Sequence, residues 1–333
     1  MTATTVTVAK ARAAAPAKII LFGEHFVVYG NPAILASINR RITVTAKKSK
    51  DGKVKIKSDI ASGEFDGSTF RLIEGANARA TLEPLYYAAK QALDDRKQQN
   101  NNKSGLEIEI KSDIPYGVGL GSSAAALVAT IAAVESLAGK ADKKKVCESA
   151  IEAEKIIHKN SSGADCFVST FGGMMHYSKG GGFKKIEAKT KIFLVIGDTG
   201  IKHNTGDLVS SVRKLKEANQ MAFSGLMSQA RDICNQALAA LNNGNIEYLG
   251  MLMNENQLLL ERLGVSHEKA DDLIDVARRA GALGAKITGA GGGGAIIALA
   301  ASKEDSERIA SAIKEAGQSA FEVEIDTKGL VLG

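Results

Sequence analysis

The stretch Ile114-Pro-Tyr-Gly-Val-Gly-Leu-Gly-Ser-Ser-Ala-Ala125 decides how the rest of the chain is read. It follows Leu106–Ile110, whose strict alternation reads as a strand with one wet face, and it opens a small-residue helix expected over Ser122–Leu137 and capped by Gly139. Glycines at 117, 119 and 121 let the backbone take positive φ and come close to a ligand. The helix start beyond them offers unpaired N–H groups and the positive end of a dipole, which suits phosphate. Ser122 and Ser123 add two hydroxyls, one expected to cap the helix and one free for a metal or a phosphate. Other phosphate motifs fail on spacing. A dinucleotide fingerprint needs glycine where Ser122 stands, and no Lys-Ser/Thr pair follows the last glycine as a Walker loop requires.

Three further stretches carry chemistry. Ala15-Pro-Ala-Lys-Ile-Ile-Leu-Phe-Gly-Glu-His-Phe-Val-Val-Tyr-Gly30 puts Lys18, Glu24 and His25 around a buried strand and its turn. On the residues alone, Lys18 is either a snorkelling surface lysine or a site cation, and His25 is either a structural histidine or a ligand group. Glu154 lies late on a helix, and Asp165 follows a Ser-Ser-Gly turn. Asp165 is either a turn or capping residue or a site acid, and in an apolar setting it needs a cation such as Lys18 beside it. Two carboxylates near a phosphate loop also make a Mg²⁺ site. Last, Lys286-Ile-Thr-Gly-Ala-Gly-Gly-Gly-Gly-Ala295 is either a flexible loop or a loop that covers a substrate.

The bulk numbers narrow the class. With 333 residues the chain can hold two ordinary domains. Its net charge of +6 comes from short lysine clusters without interleaved aromatics, which make up only 5% of residues, so nucleic acid is not expected as a partner. Cys147, Cys166 and Cys234 form no CxxC pair, which excludes a metal cluster and fits a reducing cytoplasm. The longest apolar run, Ala124–Val134, is too short to span a bilayer, and Met1–Ala15 lacks the apolar core of a secretion signal. No membrane association is expected.

Along the chain, strands are expected at 17–22, 33–48 and Val54–Ile60, followed by a turn-rich stretch to Ser68. Helices are expected at 79–97 and Lys143–Lys159, with a polar loop at Gln98–Ser104. Phe167–Tyr177 and Lys191–Asp198 read as strands. The glycine- and lysine-rich turn Lys179–Lys185 marks a boundary between domains at 1–187 and 188–333. Helices around 206–219, 221–243, 245–263, 268–281 and 303–317, with strands Ala295–Ala300 and Ala320–Ile325, complete an α+β pattern in both halves.

Taken in order, these motifs resemble the GHMP kinase superfamily of galactokinases, homoserine kinases, mevalonate kinases and phosphomevalonate kinases, from Pro16 to about Ala300. The first motif and the Glu154–Asp165 stretch are most similar to the mevalonate kinase family, although Lys159 and Ser161 stand where that family has Gly and Pro. The resemblance implies a two-domain fold, with a ribosomal protein S5 domain 2-like N-terminal domain and a ferredoxin-like C-terminal domain. It implies ATP and Mg²⁺, mevalonate as the small-molecule partner, and a homodimer. Asp165 would be the base that takes the proton of the 5-hydroxyl, and Lys18 would keep it ionised. ATP would lie over Pro115, Gly117, Val118, Gly119, Leu120, Gly121, Ser122, Ser123, Ala124 and Ala125. Ser123 and Glu154 would hold the metal. Glu24, His25 and Thr205 would bind substrate, and Gly289, Ala290, Gly291 and Gly292 would close the site. The resemblance leaves room for another kinase of the superfamily, acting on homoserine, a sugar or the 3-hydroxyl of mevalonate. A non-catalytic nucleotide-binding regulator on the same fold is the rival of a different class.

Overall fold

The computed structural model describes residues 10–94, 105–157, 162–201 and 205–333, with the side chains of residues 156, 157 and 205 left aside. The loop expected at Gln98–Ser104, the turn at Lys159–Ser161 and residues 1–9 lie outside the described residues. The first half runs β1 (Lys10–Phe22), a 3-10 turn (Phe26–Tyr29), β2 (Ala33–Ser49), β3 (Val54–Lys57), β4 (Ser62–Asp66), β5 (Thr69–Glu74), α1 (Ala78–Asp94) and β6 (Gly105–Ser112). It continues with α2 (Ser122–Ser136), α3 (Lys143–Ile157), α4 (Ala164–Phe171), β7 (Met174–Ser178) and β8 (Gly182–Ile186). The second half runs β9 (Phe193–Asp198), α5 (Thr205–Ala218), α6 (Gln220–Asn243), α7 (Ile246–Arg262), α8 (Glu268–Arg279), β10 (Gly284–Ile287), β11 (Ala295–Ala300), α9 (Lys303–Glu315), β12 (Ser319–Val323) and β13 (Val331–Leu332).

Among the described residues the strands form two sheets. One has the order β13-β1-β2-β6-β3-β4-β5, with β7 on β2 and β8 on β7; the other is β10-β11-β9-β12. In the second sheet all pairs are antiparallel, and α8 and α9 pack on it. Counting β9 as its first strand gives the β-α-β-β-α-β order of a ferredoxin-like unit, with α5 to α7 added after β9.

Helix α2 sits between the first sheet and its neighbours α1, α3 and α4. Every residue from Ala124 to Glu135 is buried, so it has no polar face. Its alanines let strand and helix backbones approach closely, and Leu127 and Ile131 fill the remaining space at about 1.5–3 kcal/mol each.

Three expectations change. Phe167–Tyr177 is not one strand: α4 ends at Phe171, Gly172 and Gly173 turn the chain, and only Met174–Ser178 is extended. Asp59–Ser68 is not only turn. It contains β4, which forms with β5 an edge hairpin around Gly67 (φ 58). Gly139 does not cap α2; the cap residue is Leu137, in right-handed geometry.

Candidate active site

Strand β1 brings Lys18 to the phosphate loop through backbone geometry. The Lys18 N–H donates to the Leu120 carbonyl at 2.9 Å, so the loop runs along the strand edge. Val118 and Leu120 are buried and anchor the loop in the core, while the glycines between and after them present backbone outward. Gly117, Gly119 and Gly121 all take positive φ, at 81, 82 and 71. Gly121, not a serine, is the N-cap of α2, and no side chain caps that helix. The expected serine cap is thus corrected: Ser122 and Ser123 are the first two helical residues, and Ser123 is exposed. Ala124 and Ala125 turn their methyls into the core. They can offer a ligand backbone alone.

Asp165 stands in the first turn of α4, behind the left-handed N-cap Gly163. That glycine has a steric reason: a Cβ there would lie 2.8 Å from Ile151 Cδ1 on α3. The packing aims Asp165 at Lys18, whose Nζ is 2.8 Å from Oδ1. Lys18 is almost wholly buried, whereas a third of the Asp165 side chain is exposed. A Cβ on Gly121 would lie 3.3 Å from Lys18 Cβ and 3.7 Å from Asp165 Oδ2. Cation, carboxylate and helix start therefore meet at one point, with the carboxylate on the open side.

Glu154 is buried on α3, and the Cys166 thiol donates to its Oε2 at 3.6 Å. Burial, with the charges of Glu154 and Asp165 beside it, pushes the Cys166 thiol far up, so it stays protonated as a donor. Among the described residues no cluster of three or more His, Cys, Asp or Glu side chains could hold a metal. Glu154 and the exposed Ser123 hydroxyl are oxygen donors of the kind a hard divalent cation takes.

The second glycine run packs tightly instead of forming a flexible loop. A Cβ on Gly291 would fall 2.1 Å from the Val265 carbonyl, and one on Gly293 2.7 Å from Ile201. The run is stitched to β1 by Thr288, whose Oγ1 donates to the Ile20 carbonyl and accepts from the Ile20 N–H, both at 3.0 Å. A Cβ on Gly289 would lie 3.2 Å from the Gly119 carbonyl, so the two glycine runs face each other. His25 holds the second run: its ring Nε2 donates to the Ala290 carbonyl at 2.7 Å. Burial lowers the His25 pKa, against smaller upward effects of that carbonyl and of Glu24. Gly292 completes the turn by donating to the Val265 carbonyl at 2.8 Å.

Glu24 was expected on substrate. It is wholly buried and ion-paired with Lys286, also wholly buried, on β10. Thr205 opens α5, and its side chain lies outside the described residues.

A cavity of about 590 Å³ opens beside the phosphate loop. Ser122, Ser123, Tyr116, Asn77, Asp59 and Ile114 are among the residues that line it. Asn77 is held at φ 55. Sequence reasoning missed Asn77, Tyr116, Asp59 and Lys286. A lysine inside the apolar run before the second glycine run was the one signal available for Lys286.

Residues 84–173 match the family model described as "GHMP kinases N terminal domain", and residues 237–319 match "GHMP kinases C terminal". The mevalonate kinase of Thermococcus gammatolerans is 40% identical over 333 residues, covering 96% of this chain and 97% of the relative. Among solved structures, L. major mevalonate kinase in complex with R-mevalonate superposes with a TM-score of 0.79 at 28% identity, over 94% of this chain and 95% of that one. The Methanococcus jannaschii mevalonate kinase gives 0.78 at 26% identity, over 96% and 99%.

Proposed function

The chain belongs to the GHMP kinase family and, within it, to the mevalonate kinases; from this we propose that it transfers the γ-phosphoryl group of ATP to the 5-hydroxyl of mevalonate. The observation that carries the reading is the Lys18–Asp165 pair, 2.8 Å apart at the uncapped start of α2.

In this reading the hydroxyl oxygen attacks the γ-phosphorus, and the bond to the β–γ bridging oxygen breaks. The hydroxyl proton passes to Asp165 Oδ2, the oxygen nearer Gly121. Such transfer needs positioning and charge neutralisation more than covalent help. Lys18 orients Asp165 and supplies positive charge where phosphate oxygens crowd. The N–H groups of the first turn of α2 and the backbone of Gly117–Gly121 seat the β- and γ-phosphates. The cavity lined by Tyr116 and Asn77 takes the nucleoside. Ser123 and Glu154 are the residues that would hold Mg²⁺, whose chemistry is charge neutralisation on the phosphates. In this reading His25 and Thr205 would bind mevalonate.

The test is direct. The purified protein is incubated with ATP, Mg²⁺ and mevalonate, and the product is identified by phosphorus and carbon NMR. Phosphate on the 5-carbon supports the reading; phosphate on the 3-carbon, or turnover only with a sugar or homoserine, sinks it. ATP binding without turnover on any of these favours a regulator. A homodimer in the cytoplasm accompanies the reading. All three cysteines are free and buried, in accord with a reducing compartment, and light scattering reads the assembly.

A further inference from the structure

We propose that Glu24, Lys286 and Asn256 form a positioning strut that sets the Gly23–His25 turn against the second glycine run and makes no contact with substrate. The proposal rests on the kinase reading above only in taking the second glycine run and His25 as parts of the acceptor site.

Both charged side chains are wholly buried, and both Glu24 oxygens are engaged within the protein. Lys286 Nζ donates to Glu24 Oε1, and Asn256 Nδ2 donates to Oε2 at 3.4 Å. The same ammonium donates to the Ile287 carbonyl at 2.7 Å. No carboxylate edge faces the open side, where an acceptor hydroxyl or carboxylate arrives.

Each end of the strut is one step from the site. His25, next to Glu24, holds the Ala290 carbonyl. Thr288, two residues past Lys286, clamps Ile20, and Gly289 follows it against Gly119. Asn256 comes from α7, so three distant segments converge on one carboxylate.

His25 needs such a fixture. It sits at φ 56 and ψ −45, a backbone conformation that a residue with a Cβ rarely adopts. A conformation of this kind persists only where its surroundings over-determine it. Gly23 on the other side is pinned as well, since a Cβ there would lie 2.6 Å from the Pro32 carbonyl. A buried ion pair is a poor device for stability, because apolar residues of the same volume serve as well or better. Its directional hydrogen bonds instead fix one register between two surfaces, where an apolar contact permits sliding.

The experiment is a double-mutant cycle of Glu24→Gln and Lys286→Met, read as KM and kcat with whichever acceptor the wild-type protein turns over, plus the melting temperature. Failure with mevalonate itself therefore counts against the proposed function and not against the strut. Lys286→Met leaves a carboxylate without its cation in the interior, and its KM for the acceptor is expected to rise by about tenfold or more. Adding Glu24→Gln removes the stranded charge, so the double variant is expected to have a lower KM than Lys286→Met alone.

A double variant with KM equal to or above that of Lys286→Met overturns the proposal, because the carboxylate would then be needed by substrate itself. A Lys286→Met protein with lower melting temperature and unchanged KM also overturns it, since a merely structural pair would behave so. If Lys286→Met yields no folded protein, the double variant is compared with wild type. A KM within about fivefold supports the strut, and a larger rise overturns it.

Discussion

Asp165 and Lys18 come from segments far apart in sequence, yet their 2.8 Å contact is set by two local facts: the glycine that starts α4 and the strand edge that carries the phosphate loop. With the carboxylate as base, Asp165→Asn is expected to lower kcat by about 10²–10⁴ while nucleotide binding survives. Stopped-flow turnover alongside titration with a fluorescent ATP analogue checks both halves of that statement. Lys18→Met is expected to cut kcat strongly as well; unchanged kcat and KM would remove Lys18 from the site. His25 adds a pH dependence to stability. Its folded-state pKa lies below the ordinary 6.5, so between those two values the unfolded chain binds the extra proton. Stability tied to His25 is present above about pH 6.5 and is lost as pH falls toward the folded-state value. Melting temperatures measured between pH 5 and pH 8 should therefore fall more steeply on the acid side in wild type than in His25→Gln, which keeps a donor for Ala290.

Helix starts and glycine runs do the positioning at the scale of elements, and each glycine has its own reason. Gly121→Ala strains a left-handed N-cap by about 1–2 kcal/mol and presses a methyl toward Lys18. It is expected to reduce kcat/KM more than it lowers the melting temperature. Gly291→Ala should do the reverse, because its Cβ meets the fixed Val265 carbonyl at 2.1 Å, so parallel thermal melts and kinetics separate the two glycines. Much of this was legible in the sequence. The three phosphate-loop glycines, the Glu154–Asp165 spacing and the long helices follow from local pattern and turn chemistry. Helix α4 was not, since the short apolar run Cys166–Phe171 fits a strand as well as a helix, and the deciding fact is Gly163 packing on Ile151. The β4–β5 hairpin was hidden because β5 is an edge strand with exposed Leu72 and Ile73, so no buried face imposes alternation. The burial of Glu24 was hidden for a different reason: its partner Lys286 arrives from another sheet, and nothing local to Glu24 announces a tertiary ion pair.

For the whole molecule, the two halves share one continuous core, and the chain after β12 ties them together. Asp326 is ion-paired with Arg41 of β2, and Arg41 also donates to the Ala14 and Gly329 carbonyls at 3.1 and 2.9 Å. The Asp326 carbonyl in turn accepts from Ser37 Oγ and the Gly173 N–H, both at 2.7 Å. Asp326→Ala, which strips the largely buried Arg41 of its carboxylate, is expected to cost about 3–5 kcal/mol; urea denaturation followed by circular dichroism gives the value. Past this tie, Val331 and Leu332 pair with Ala14 and Ala13, so β13 covers that part of the outer edge of the strand that bears Lys18. That arrangement has a consequence for biosynthesis. Strand β1 leaves the ribosome well before its cover, which is translated only after nearly all of both halves. Through that interval a nascent chain carries an open strand edge, the kind of template on which neighbouring chains pair and precipitate. Recovery of the folded enzyme should therefore respond to translation speed and chaperone supply, even in variants whose finished fold is unaltered.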